Sequence, residues 1–238
     1  MNAPILHLDG LTAGYDGVAA VRGVNLTVGQ GEVVALLGAN GAGKTTTLLT
    51  IAGLLPPIGG DIELLGEAIG RWPAPKIARR GVVSIPDDRG LFPKLTVREN
   101  LLLARRRGED ALGLFPELQS RLGTPAGLLS GGQQQMLAIA RALARQPKLL
   151  IIDELSFGLA PIVVQRLLPT VRAVADETGA GVLVVEQHVH LGLAVADRAY
   201  VLSHGSIALS GTAAELQTDT ALLQESYLGA GDAERTAR

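Results

Sequence analysis

The chain has no cysteine among its 238 residues, which excludes disulfides and thiolate metal sites. It also lacks any apolar run near the 18 residues a membrane-spanning helix needs. Its continuous apolar stretches, Val33–Leu37 and Leu149–Ile152, are strand-length. A secretory signal is not expected, because Asp9 and Gly10 interrupt the N-terminal apolar region. A strong charge of either sign is missing too: the net charge of −2 gives no reason to expect nucleic-acid binding. There is no internal repeat and no low-complexity segment. What remains is 47% hydrophobic and 18% charged, with a mean hydropathy of +0.29. Such a chain can build a sizeable core, as one large α/β domain or two small ones. The expectation is a cytoplasmic protein with part of its surface covered by partners.

The densest motif is Gly38-Ala39-Asn40-Gly41-Ala42-Gly43-Lys44-Thr45-Thr46. It follows the strand-like run Val33–Leu37 and precedes a helical pattern from Thr46 to Ala52, the strand–loop–helix setting of a phosphate-binding loop. Glycines at 38, 41 and 43 let the backbone curl so that N–H groups point inward, and the helix start adds the positive end of its dipole. Lys44 is placed to reach β- and γ-phosphates and the Thr45 hydroxyl to ligate Mg²⁺.

Around this motif the elements are coarse but orderly. Ile5–Leu8 and Val24–Val28 alternate like half-buried strands, with Leu11 to Gly17 read as a turn carrying Tyr15, one of only three tyrosines. The pattern up to Gly31 is an antiparallel meander; beyond it helices and strands alternate, which argues for a parallel sheet. Gly53–Gly60 breaks the first helix, and Asp61–Leu64 is a short strand. Pro73–Arg79 reads as a helix, Val82–Ile85 as a strand. Thr96 and Glu99 form a capping box opening a helix whose apolar face is Leu101–Leu103. Leu129 to Arg145 is a second strong helix, ended by Pro147. Leu149–Ile152 and Val182–Val185 read as strands buried on both faces, separated by a helix over Ile162–Thr178. Arg198–Leu202 and Ser206–Leu209 suggest a hairpin around His204-Gly205, then a helix over Ala213–Leu228 and a frayed tail. Residues 71–107 hold ten lysines or arginines against three acids, either a solvated basic face or a docking surface.

Asp153 and Glu154 stand at the end of a buried strand, on the edge where parallel α/β sheets bind ligands. There Asp153 can hold a Mg²⁺ shell and Glu154 can polarise an attacking water, a contribution of about 10²–10⁴-fold. Leu129-Ser130-Gly131-Gly132-Gln133 is a second phosphate-binding helix start, with a hydroxyl and two glycines. One nucleotide needs only one such site. A two-fold dimer accounts for both, the second motif of each subunit covering the nucleotide held by the other.

These motifs, in this order and spacing, resemble the ATPase subunits of ABC transporters over nearly the whole chain. The details are similar to the smaller of the two ATPases in branched-chain amino-acid importers: Leu91 to Leu101, Gln133 to Leu143, Gly158 to Pro161, Val185 to Gln187 and Ala196 to Leu202. The resemblance implies an α/β P-loop NTPase with a mostly parallel core sheet, an N-terminal antiparallel β-subdomain and a short α-helical subdomain. It implies one ABC ATPase domain over 1–238, with a nucleotide-binding core at 1–86 and 147–228, a helical arm at 87–146 and a tail at 229–238. ATP and Mg²⁺ are the expected cofactors. Gly38 to Thr46 and Ser130 to Gln133 are the expected nucleotide contacts, with Tyr15 stacked on adenine. Thr45, Asp87 and Asp153 are expected at the metal, and Lys44, Glu154 and Gln187 in catalysis. The expected partners are transmembrane permease subunits, a second ATPase subunit, identical or not, and indirectly a substrate-binding protein, with no nucleic acid; the expected location is peripheral, on the cytoplasmic face of the membrane. Asp87 falls in the loop near which the family docks a coupling helix, which offers the basic excess, including Arg105–Arg107, a partner.

The chain departs from the family pattern in three places. Gln187 stands ten residues before Asp197, where the wider family has its switch histidine; His188 is adjacent, and either residue can fill the role. Leu155 and Ala160 replace the wider family's proline and aspartate. The stretch between Asn100 and Leu129 is short. The implied function is ATP hydrolysis driving uptake of a branched-chain or other small amino acid, an amide or urea. A non-transport ABC ATPase and a module that binds ATP without hydrolysing it are the rivals; a P-loop kinase or GTPase is excluded by the Leu129–Gln133 motif.

Overall fold

The structure is a computed structural model, and it describes residues 3–104 and 110–218, the side chains of Asp110 and Ala111 apart. The chain opens with two long antiparallel strands, β1 (Leu6–Tyr15) and β2 (Val18–Val28), joined by a turn of only Asp16 and Gly17. The segment expected to turn at Leu11 is therefore strand. Three register shifts in the β1–β2 pairing bend the ribbon there and break the simple alternation, which is why the sequence read as a turn. Then come β3 (Val33–Leu37), α1 (Lys44–Ile51), β4 (Pro57–Leu64), the two-residue β5 (Glu67–Ala68), α2 (Ala74–Arg79) and β6 (Val82–Ile85). The arm follows with α3 (Val97–Leu102), α4 (Pro116–Gln119) and α5 (Gly131–Leu143). The chain continues with β7 (Leu149–Asp153), α6 (Pro161–Thr178), β8 (Gly181–Glu186), α7 (Val189–Val195), β9 (Arg198–Ser203), β10 (Ser206–Thr212) and α8 (Ala213–Thr218). The expected helix to Leu228 is described only as far as Thr218; its remainder, the tail and Arg105–Arg107 lie outside the described residues.

Two sheets result. One is antiparallel, in the order β2-β1-β4-β5, so β4 and β5 return to the N-terminal meander after the phosphate-loop helix. The other has the order β10-β9-β3-β8-β7-β6, with β9, β3, β8, β7 and β6 parallel and β10 antiparallel at the edge. Because side chains alternate along a strand, each central strand feeds two cores. Val34 and Leu36 of β3, with Leu183 and Val185 of β8, pack against the antiparallel sheet and Leu48 and Ile51 of α1. Val33, Val182 and Val184 face the other way, onto α5 and α6. That two-sided cover is why these strands are continuous apolar runs.

No periodic pattern announced α7. It is short, and Gly192 sits inside it. A Cβ at Gly192 would lie 2.6 Å from Leu37 Cδ2, so the glycine serves close packing of α7 on the end of β3.

Candidate active site

The parallel register fixes where the functional residues meet. Leu37 of β3 is level with Glu186 of β8, Val185 with Asp153 of β7, and Ile152 with Ile85 of β6. Four neighbouring strands thus end on one edge. From that edge emerge the loop 38–43, Gln187, Asp153-Glu154 and Asp87, side by side at about 4.8 Å per strand.

The phosphate loop is built by steric necessity. Gly43 caps α1 with φ 107°, and a Cβ there would stand 2.3 Å from Val21 Cγ1, because β2 passes directly against it. The β1–β2 hairpin with Tyr15 at its end is thereby anchored beside the loop, and Tyr15 is half exposed. Lys44 is buried, 6% exposed, and its Nζ donates to the carbonyls of Gly38 (2.8 Å) and Ala39 (3.1 Å). Burial lowers its pKa, while Glu154, Asp153 and Glu186 oppose that shift. Thr45 is exposed at the helix start, and its hydroxyl has no hydrogen-bond partner among the described residues. Thr46 is buried, and its carbonyl accepts from Thr50 Oγ1.

Asp153 is 9% exposed and its pKa is pushed up to about 6, by burial first, then by Glu154 and Asp87, with Lys44 pulling the other way. Glu154 has φ 49°, a left-handed backbone unusual for a side-chain-bearing residue. Its amide donates to Val185 O and its carbonyl accepts from Phe157 N, which turns the chain sharply at the strand exit. The result is an excess of negative charge around one buried lysine. Among the described residues no three acids or histidines converge on one point. A magnesium ion therefore fits only as such ions usually sit, on one carboxylate and the Thr45 hydroxyl, completed by phosphate oxygens and water. Asp87 is exposed, its Oδ1 accepting the Asp88 amide.

The Ser130–Gln133 motif lies on the arm, at the start of α5. Ser130 Oγ accepts from Gln133 N and Gln133 Oε1 accepts from Ser130 N, so this hydroxyl and amide form a capping box like that of Thr96 and Glu99. No hydrogen bond among the described residues joins the motif to the phosphate loop, and two of its side chains have a structural duty as well. Gln187 is partly buried past the end of β8, and His188 is exposed as the N-cap residue of α7.

Three residues to which motif reading gave no role support the site. Glu186, 2% exposed, accepts from Ser156 N and Ser156 Oγ, both at 2.9 Å, and so ties β8 to the loop after Glu154. Asp197 Oδ2 accepts from Val33 N (2.8 Å) and Arg172 Nη1 (2.7 Å), holding the start of the phosphate-loop strand. Arg89 joins α5 to the same post-Glu154 loop. Glu186 and Asp197 stand inside runs that resemble the family, Val185–Gln187 and Ala196–Leu202, but nothing in those runs assigns them these bonds, and Arg89 stands between motifs with no spacing signal of its own.

The comparisons with known proteins give the family. The ABC transporter family model matches residues 21–156. The chain is 40% identical to the high-affinity branched-chain amino acid transport ATP-binding protein BraG of Pseudomonas aeruginosa, over 94% of this chain and 100% of that one. It is 36% identical to the lipopolysaccharide export system ATP-binding protein LptB of Escherichia coli, over 92% and 95%. A solved ATP-binding subunit of an ABC transporter superposes with a TM-score of 0.80 at 31% identity, covering 94% of this chain and 98% of that one. The chain belongs to the ABC transporter family, as one of its ATP-binding, ATP-hydrolysing subunits.

Proposed function

We propose that the chain energises import of branched-chain or related small amino acids. The observation that carries this reading is its 40% identity to BraG over the whole of that protein. Lys44 exchanges its bonds to the Gly38 and Ala39 carbonyls for oxygens of the β- and γ-phosphates. Gly38 to Thr46 cradle the phosphates with backbone N–H groups, and Tyr15 stacks on the adenine. Thr45 and Asp153, with Asp87 nearby, hold a magnesium ion, which when bound neutralises charge on the phosphates. Glu154 polarises the attacking water, and Gln187 orients the far side of the same site. Two cassettes, identical or sisters, pair so that Ser130–Gln133 of one covers the nucleotide of the other.

No described helix is long and apolar enough to cross a membrane. In this reading the cassette acts through permease subunits at the cytoplasmic face, and indirectly through a substrate-binding protein, as the likeness to BraG supports. A second reading, export of a lipid-linked cargo, draws on the 36% identity to LptB. Uptake of radiolabelled leucine, isoleucine and valine by a strain lacking the gene decides between them. Import predicts reduced uptake, restored by wild type and not by Glu154→Gln. Unchanged uptake of all three contradicts it.

A further inference from the structure

The loop between β6 and α3 carries a residue whose contacts span three segments. Arg89 has φ 66°, in the left-handed region, held there while its side chain reaches away from its own loop. Its guanidinium divides its donors. Nε donates to Gln135 Oε1 at 3.1 Å, Nη1 to Gln134 Oε1 at 3.1 Å, and Nη2 to the Phe157 carbonyl at 3.3 Å. Gln134 and Gln135 lie in the first turns of α5, directly after Ser130–Gln133. Phe157 lies three residues after Glu154. Gly131 and Gly158 flank Nη2, and a Cβ at either would be in ordinary van der Waals contact with it, at 3.7 and 3.9 Å.

The loop is also held from α5. Arg141 Nη2 donates to the carbonyls of Gly90 (2.7 Å) and Arg89 (3.4 Å). Gln135 is 3% exposed, so losing its partner leaves a buried amide oxygen unsatisfied. Only a planar fork with several fixed donors meets three acceptors on two elements at once; an ammonium cannot.

We propose that Arg89 is a positioning residue that locks the start of α5 to the loop carrying Glu154, so that placement of the arm sets placement of the water-polarising carboxylate. The proposal rests on Glu154 being that carboxylate. A rigid tie of this kind transmits any shift of α5 against the core sheet straight to residues 154–158. It also links the Asp87–Gly90 loop to both.

The test is steady-state ATP hydrolysis with equilibrium ATP binding, on wild type, Arg89→Ala, Arg89→Lys, Gln134→Ala, the Arg89→Ala/Gln134→Ala double variant and Glu154→Gln. Rates are referred to the ATP-binding-competent fraction, so that loss of folded protein does not register. Arg89→Ala is expected to bind ATP within about twofold of wild type while its kcat falls about tenfold to a hundredfold, the scale of a misplaced catalytic group. Arg89→Lys stays near the alanine value, and the double variant falls no further than Arg89→Ala alone. A kcat within twofold of wild type in Arg89→Ala, full rescue by lysine, or parallel loss of ATP binding and kcat overturns the proposal. Glu154→Gln separates the two claims. If it turns over like wild type, the Glu154 assignment fails. If it is inert while Arg89→Ala is fully active, the Arg89 proposal alone fails.

Discussion

Lys44 and Glu186 show how one buried edge treats opposite charges. Lys44 is desolvated yet surrounded by acids, so its charge is held ready for an anion rather than spent in an ion pair. Lys44→Ala is expected to weaken ATP binding about tenfold to a hundredfold, the value of a charge-assisted contact; nucleotide titration measures it. Glu186 is the reverse case. Burial raises its pKa, opposed by its two bonds from Ser156. Its folded-state value lies above the unfolded one, so the stability linked to its proton is fully present below the unfolded value and is lost as pH rises through the folded one. Glu186→Gln keeps both bonds to Ser156, since the hydroxyl can turn to accept from the amide, and carries no charge. Its melting temperature is expected to exceed that of wild type at pH 7, with the gap closing toward pH 4; an equal gap at both pH values contradicts this linkage. The candidate site residues in motifs were legible because phosphate binding demands fixed residue types at fixed spacing. Glu186, Arg89 and Asp197 were not. Their partners lie 30, 46 and 68, and 164 residues away, and only the fold supplies those neighbours.

At the scale of elements, the arm is held by loops as much as by helices. Asn100 is fully buried in α3. Its amide donates to the carbonyls of Phe92, Leu95 and Thr96, and its Oδ1 accepts the Phe92 amide. One side chain thus replaces the regular structure that residues 92–96 lack. Asn100→Ala leaves the Phe92 amide without its partner, while the Phe92, Leu95 and Thr96 carbonyls keep a backbone donor each, and it is expected to cost about 1–3 kcal/mol, the cost of one unsatisfied group. Urea unfolding measures it, and a loss under about 0.5 kcal/mol, the range of a surface substitution, contradicts it. Elements with strong local signals were readable from sequence: the Thr96–Glu99 capping box, the buried strands β3, β7 and β8, and the long helix α6. The misreadings have a common cause. β1 through Tyr15 and β4 from Pro57 contain glycines and bulges that look like turns, and α7 contains Gly192 because it packs on Leu37. In each, tertiary contact overrides local preference.

For the whole molecule, the sheet order explains why a nucleotide site forms at all. β3 lies between β9 and β8, so the phosphate loop leaves the middle of the sheet, with the exits of β8, β7 and β6 in line beside it. The alternation of helix and strand after Gly31 announced the parallel sheet, but not that β9 completes it or that β4 and β5 return to the antiparallel one. The Ser130–Gln133 motif stands on the arm, and in the proposed mechanism it meets a nucleotide only when two cassettes pair. The most direct measurement is phosphate release with Mg-ATP, wild type beside Glu154→Gln, with light scattering on the same samples. Wild type is expected to turn over, and Glu154→Gln to be slower by about 10²–10⁴-fold. The variant is also expected to double in mass with Mg-ATP and to return to monomer without it. Wild-type turnover by Glu154→Gln contradicts the mechanism, and a variant that binds ATP and stays monomeric contradicts pairing of two identical cassettes.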